Sequence, residues 1–209
     1  MKKLFAYGGV TASAILVAFG IGSIVIGIQG RSEVRDTLAR EHIVGSSDMS
    51  PTAILAGIEE AGLTNVEGIP TKDIVDEQVN TGDEAKAFAG YMRIHALETS
   101  SGKTYAEMGR FLKPDGTDTS DEALAAKDPE TGRPVPNRAR DTWVTETALA
   151  TALNTAFFAE RVAVFSIVMG VALLLTGIGF LVLTLGGALG IVPLPKRALA
   201  SKGVAHVAT

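Results

Sequence analysis

LFAYGGVTASAILVAFGIGSIVIGIQG, from Leu4 to Gly30, and VAVFSIVMGVALLLTGIGFLVLTLGGALGIVPLP, from Val162 to Pro195, contain no charged residue, and these two runs decide the fold. Each exceeds the ~20 residues a helix needs to cross a ~30 Å hydrocarbon core. They stand at the two ends of a 209-residue chain with a polar stretch between them. The expected fold is therefore mainly α. It is a membrane hairpin of two transmembrane helices, 4–30 and 162–192, with 1–3 and 193–209 as short ends and 31–161 as one domain across the membrane.

Composition divides the same way. Lys2, Lys3, Lys196, Arg197 and Lys202 lie at the ends with no acidic residue beside them. Removing those five from the 19 Lys and Arg leaves 14 in the middle against all 23 Asp and Glu, a net charge of −9 there. Cations retained at span ends mark the cytoplasmic side, and a long loop crosses largely regardless of its charge, so both termini are expected inside and 31–161 outside, in the cell membrane. A cleaved signal peptide would have an apolar region of only about 7–15 residues, so the first run reads as a retained anchor. With no cysteine, an outward domain has no disulfides and no thiol for lipid attachment.

Small residues offer a packing face. Ala14, Ala18 and Gly22 recur every four residues in the first span, and Ser166 with Gly170, then Gly186 with Gly190, do so in the second. Small residues let helix backbones approach closely, which predicts that the two spans pack on each other or, alternatively, that the chain self-associates. No heptad run is apparent. Neither span holds Asp, Glu, Lys, Arg or His, the groups that mark ion paths and proton relays, which argues against a transporter acting alone.

Outside the spans, Arg31 to Glu41 has no helix breaker, so the first helix is expected to continue for three turns. Ser50-Pro51 is an N-cap with proline at the first helical position, and Gly62 follows as the stop, giving a helix over 51–61. Thr81 and Glu84 form a capping box, and Phe88, Met92 and Ala96 recur every four residues until Thr99-Ser-Ser-Gly102. Pro114 to Asp121 reads as a mobile surface loop and Asp128 to Pro134 as a turn between short extended segments. From about Arg140 to Val192 no proline intervenes, which predicts one helix running into the second span and packing on the extension after Gly30.

Chemistry is thinner. Of three histidines, His206 falls in the tail, leaving His42 and His95 for the outer domain. His95 and Glu98 share a helix face, and with His42 they make the two-histidine, one-carboxylate set of a mononuclear iron site. The bland reading, a histidine bonded to a neighbouring carboxylate, is stronger, so no metal, cofactor or catalytic residue is expected. Ser100 to Thr104 lacks the upstream glycine and preceding strand of a phosphate loop. The acidic middle disfavours nucleic acid. The expected partners are the lipid bilayer and another membrane protein or a second copy of the chain.

Phe5-Ala-Tyr-Gly-Gly9, Asp48-Met-Ser-Pro51, Tyr91-Met-Arg-Ile-His-Ala-Leu97, Trp143-Val-Thr-Glu-Thr-Ala-Leu149 and Gly177-Ile-Gly-Phe together resemble an actinobacterial family of small membrane proteins. The resemblance runs over nearly the whole chain and implies a cell-membrane location. Members are often labelled aromatic ring-opening dioxygenases, an activity that would call on His42, His95 and Glu98. The residues themselves point instead to a non-enzymatic accessory subunit, assembly factor or envelope-facing interaction module.

Overall fold

Two long helices dominate because no proline interrupts 2–50 or 137–192, so each apolar stretch is continuous with polar sequence that also lacks one. In the computed structural model, which describes residues 2–64 and 66–188, these are α1 (Lys2–Arg40) and α4 (Arg138–Ala188). Both are long and apolar enough, by length and composition, to cross a membrane. Between them lie α2 (Pro51–Glu60), α3 (Gly82–Thr99), a two-stranded antiparallel hairpin of β1 (Phe111–Leu112) and β2 (Asp118–Thr119), and a 3-10 turn, Glu122–Leu124. The chain divides into two compact units, Met1–Ile24 with Val168–Thr209, and Val25–Ile167.

In the first unit the two helices run antiparallel, Gly9 lying against Thr184 and Gly20 against Gly170. A Cβ on Gly20 would come 2.7 Å from Leu174 N and 2.9 Å from Gly170 O; one on Gly170 would come 2.7 Å from Gly20 O. Those backbones touch, so no side chain fits between them. Ser13 is buried on the same face and donates its hydroxyl to Gly9 O at 2.8 Å.

The small residues singled out in the sequence line this seam only in part. Ala14 and Ala18 are exposed, and a Cβ on Gly22 would meet nothing within 4 Å. Gly170 does line the seam. Ser166, which belongs to the other unit, donates its hydroxyl to Val162 O of its own helix at 3.0 Å. Gly186 is half-buried, and Gly190 lies outside the described residues. The buried small positions recur every seven residues: Ser13, Gly20 and Gly27 on α1, Ala163, Gly170 and Gly177 on α4. A four-residue step overshoots a helical turn by about 40°, whereas a seven-residue step falls short of two turns by only about 20°, so only the latter stays on one seam. A heptad repeat is therefore present, written in small residues instead of leucines.

The second unit is built on the last turns of α1 and the first half of α4. Val34 and Leu38 pack with Leu149, Leu153 and Ala156, and α3 adds Ala85 and Ala89. A second cluster joins Met49 and Ile54 to Ile74, Tyr91 and Ile94. A third packs Trp143 on Ala96 and Met108. The caps form as expected: Ser50 accepts from Ala53 N at 3.2 Å, Gly62 ends α2 at φ +65°, and the Thr81–Glu84 capping box is complete.

One stretch differs from expectation, and two further segments pair where no element was expected. Pro114 to Asp121 is not a loose loop but the turn and return strand of the hairpin. Lys113 O accepts from Gly116 N at 2.9 Å, and Gly116 takes φ +82°, so Pro114-Asp-Gly116 makes a three-residue hairpin turn closed by a left-handed glycine. The 43–49 and 74–79 segments, weakly specified in sequence, pair instead of wandering. Gly45 N donates to Glu77 O, Ile74 N to Met49 O and Val79 N to Ile43 O. Any side chain on Gly45 would strike Ile74 O.

Candidate functional site

Glu160, the last acidic residue before the second apolar run, is 8% exposed and binds two elements besides its own helix. Its Oε1 accepts from Arg31 Nε at 2.9 Å and Arg35 Nε at 3.0 Å on α1, and its Oε2 accepts from Gly82 N, the first residue of α3, at 2.6 Å. Burial pushes this carboxyl up, but the bonds from Arg31, Gly82 and Arg35 together outweigh it and hold Glu160 below the usual range. Beside it Arg161 pairs with Asp83 at 2.6 Å. A helix N-terminus, two guanidiniums and one carboxylate thus tie α1, α3 and α4 together at one level.

His95 does meet Glu98, its Nδ1 lying 3.0 Å from Oε2, but the third member is Asp48 and not His42. Asp48 Oδ2 is 3.4 Å from Nε2, within ion-pair range yet off the line of a hydrogen bond, so buried Nε2 has no hydrogen-bond partner. The Ser46 hydroxyl, outweighing a small burial effect, holds Asp48 below its usual range. His42 ends α1 in the left-handed region at φ 52° and is exposed. Among the described residues no three His, Cys, Asp or Glu gather so as to hold a metal ion. His42, His95 and Glu98 are therefore not a ligand set in this fold.

Several concavities of about 320–680 Å³ mark the second unit, and two of them lie along α4. A groove of about 600 Å³ runs between α1 and α4, walled by Val34, Leu38, Leu149, Leu153 and Ala156, with Gly30 at one end and Glu33 and Glu41 on the rim. Its chemistry is that of a helix-binding groove: an apolar floor, small residues, an acidic edge. A trough of about 520 Å³ lies between α3 and α4 and includes His95, Asp141 and Glu146. Trp143 is core, and Tyr105 carries the Arg140 guanidinium 3.9 Å above its ring.

Sequence reading passed over Glu160 and Glu146. Both had a signal: Glu160 closes the polar stretch opposite arginines spaced by four, and Glu146 stands on a helix with no cation three or four residues away. No family model, curated protein or solved structure matches the chain.

Proposed function

We propose that this chain is a two-pass membrane protein, with residues 1–3 and 193–209 cytoplasmic and 31–161 outside, that acts without catalysis as an accessory subunit or assembly factor for another membrane protein. The actinobacterial cell membrane implied by the family resemblance belongs to the same reading. The observation that carries it is the apolar groove between α1 and α4. Its lower end is Gly30, where the first apolar run stops, so a helix emerging from the bilayer beside α1 would enter it directly. Glu33 and Glu41 on the rim favour a partner helix with Lys or Arg flanking its apolar face.

Two measurements test this reading. A reporter active only in the cytoplasm should work when fused after Thr209 and be silent at Asp118; the reverse would overturn the topology. A photo-crosslinking residue at Thr37 or Thr155, on the groove walls, should capture one membrane protein in intact cells. Filling the floor with Ala156→Trp should abolish that product. Capture of a second copy of this chain alone would replace the accessory role with self-assembly.

A further inference from the structure

The trough between α3 and α4 is lined on one side by residues spaced three and four apart on α4, Asp141, Thr142, Thr145 and Glu146, and on the other by His95 and Thr99 of α3. At its floor Glu146 is 4% exposed. Its one bond within the described residues is from the adjacent Thr147 hydroxyl, to Oε2 at 3.3 Å; Oε1 accepts none, and no Lys, Arg or His is in ion-pair range. Its free Oε1 opens into the trough and not into the core, since His95 Nε2 is the one fully buried side-chain polar atom without a hydrogen-bond partner among the described residues; a carboxylate so largely shielded from water is stabilised by a cation or several donors.

Apart from Thr147, the hydroxyls lining the trough are left as acceptors. Thr142 donates to Arg138 O at 3.4 Å, Thr145 to Asp141 O at 3.0 Å and Thr99 to His95 O at 2.9 Å, so each has spent its proton on its own helix and has only lone pairs left. Asp141 adds a second carboxylate, itself without an ion pair among the described residues. The one cationic side chain on the lining, Arg138, is exposed and two turns from Glu146, about 12 Å along the helix.

A lining of two carboxylates and three acceptor hydroxyls complements a group that has donors and a positive charge but no acceptor. An ammonium on an alkyl chain is that group, with three donors and a stem that apolar Met92 and Ala96 can cover. A bare divalent cation fits less well, because no three ligating side chains converge. We propose that this trough binds an alkylammonium ion, with Glu146 as its counter-charge and Asp141 and the threonine hydroxyls as further acceptors. The proposal does not depend on the α1–α4 groove. The ammonium has two sources, a free amine or the lysine side chain of a partner.

The full chain, purified in mild detergent at constant ionic strength, is titrated with butylamine, spermidine and Nα-acetyl-lysine methylamide. Emission of Trp143, the only tryptophan, one turn from Glu146 on α4, and the melting temperature are both recorded. At least one amine should saturate the emission change and raise the melting temperature at millimolar concentration. Spermidine binding tightest identifies a free amine, and acetyl-lysine methylamide binding tightest identifies a partner's lysine. Glu146→Gln should weaken binding about tenfold or more with an unchanged circular dichroism spectrum. Thr142→Phe, which blocks the trough from an exposed position, should abolish binding even if Glu146→Gln fails to fold. No response to any amine, or equal affinity in Thr142→Phe, would overturn the proposal.

Discussion

Glu160 accepts the backbone N–H of Gly82 at 2.6 Å across 78 residues of sequence. The carboxylate that neutralises Arg31 and Arg35 is therefore also the acceptor for the start of α3. A Cβ on Gly82 would come 2.8 Å from the Phe157 Cα, so the close approach requires glycine. Glu160→Ala should cost about 2–3 kcal/mol, because it leaves both arginines and a helix-terminal N–H unmatched; the figure is kept low because both arginines are half exposed. Glu160→Gln keeps an acceptor and should lose less. Thermal unfolding of the two variants in detergent checks the order, and equal loss would show that charge alone matters.

The glycine seam predicts a position-specific response. Gly20→Leu or Gly170→Leu should destabilise by about 1–3 kcal/mol, since the added atoms would enter the opposing backbone. The same change at Ala18 or Gly22 should be nearly neutral in a monomer. Melting temperatures of the four variants decide it; a loss at Ala18 or Gly22 matching that at Gly20 would place another helix on that outer face.

Acid should weaken the second unit. Burial raises Glu84, but bonds from Asn80 and Thr81 N–H, the Thr81 hydroxyl and Lys72 outweigh it; Asp118 is held low by Lys103 and by Gly109 N–H. With Glu160 these carboxyls bind protons less readily folded than unfolded. Their contribution is therefore complete above the ordinary carboxylate range of about 4 and disappears as pH falls through it and below. The melting temperature should hold from neutral to about pH 5 and drop beneath it, and Glu84→Gln should flatten the drop. A profile that rises toward acid would contradict the assignment.

A dioxygenase makes an opposite demand on His42. Since His42 is exposed and His95 has Asp48 and Glu98 for neighbours, His42→Ala should change neither iron content nor stability. Stoichiometric iron in the purified protein that is lost on this substitution would restore the enzyme reading.

What could be read in advance follows the range of the interaction. Ser50-Pro51, Gly62 and the Thr81–Glu84 box are satisfied within four residues, so the caps were legible. The unbroken run after Arg140 likewise foretold α4. The Asp115-Gly116 turn also carried a local signal, but strands of two residues are too short to show alternation, and the segment read as a loop. The seam failed for a different reason: small residues are frequent in apolar helices, and four-residue matches arise by chance, whereas the seven-residue recurrence is visible only when both helices are compared. Glu160 and Glu146 derive their meaning from partners on other elements, which no local pattern encodes.

Arg31 and Glu160 are separated by 129 positions. At roughly 5–20 residues per second of synthesis, the guanidiniums of α1 are made on the order of 10 s before their carboxylate partner. During that interval Arg31 and Arg35 lack the carboxylate that they hold in the fold, and the first N–H of α3, once made, lacks its acceptor. The emergence of one carboxylate therefore completes contacts of three helices together.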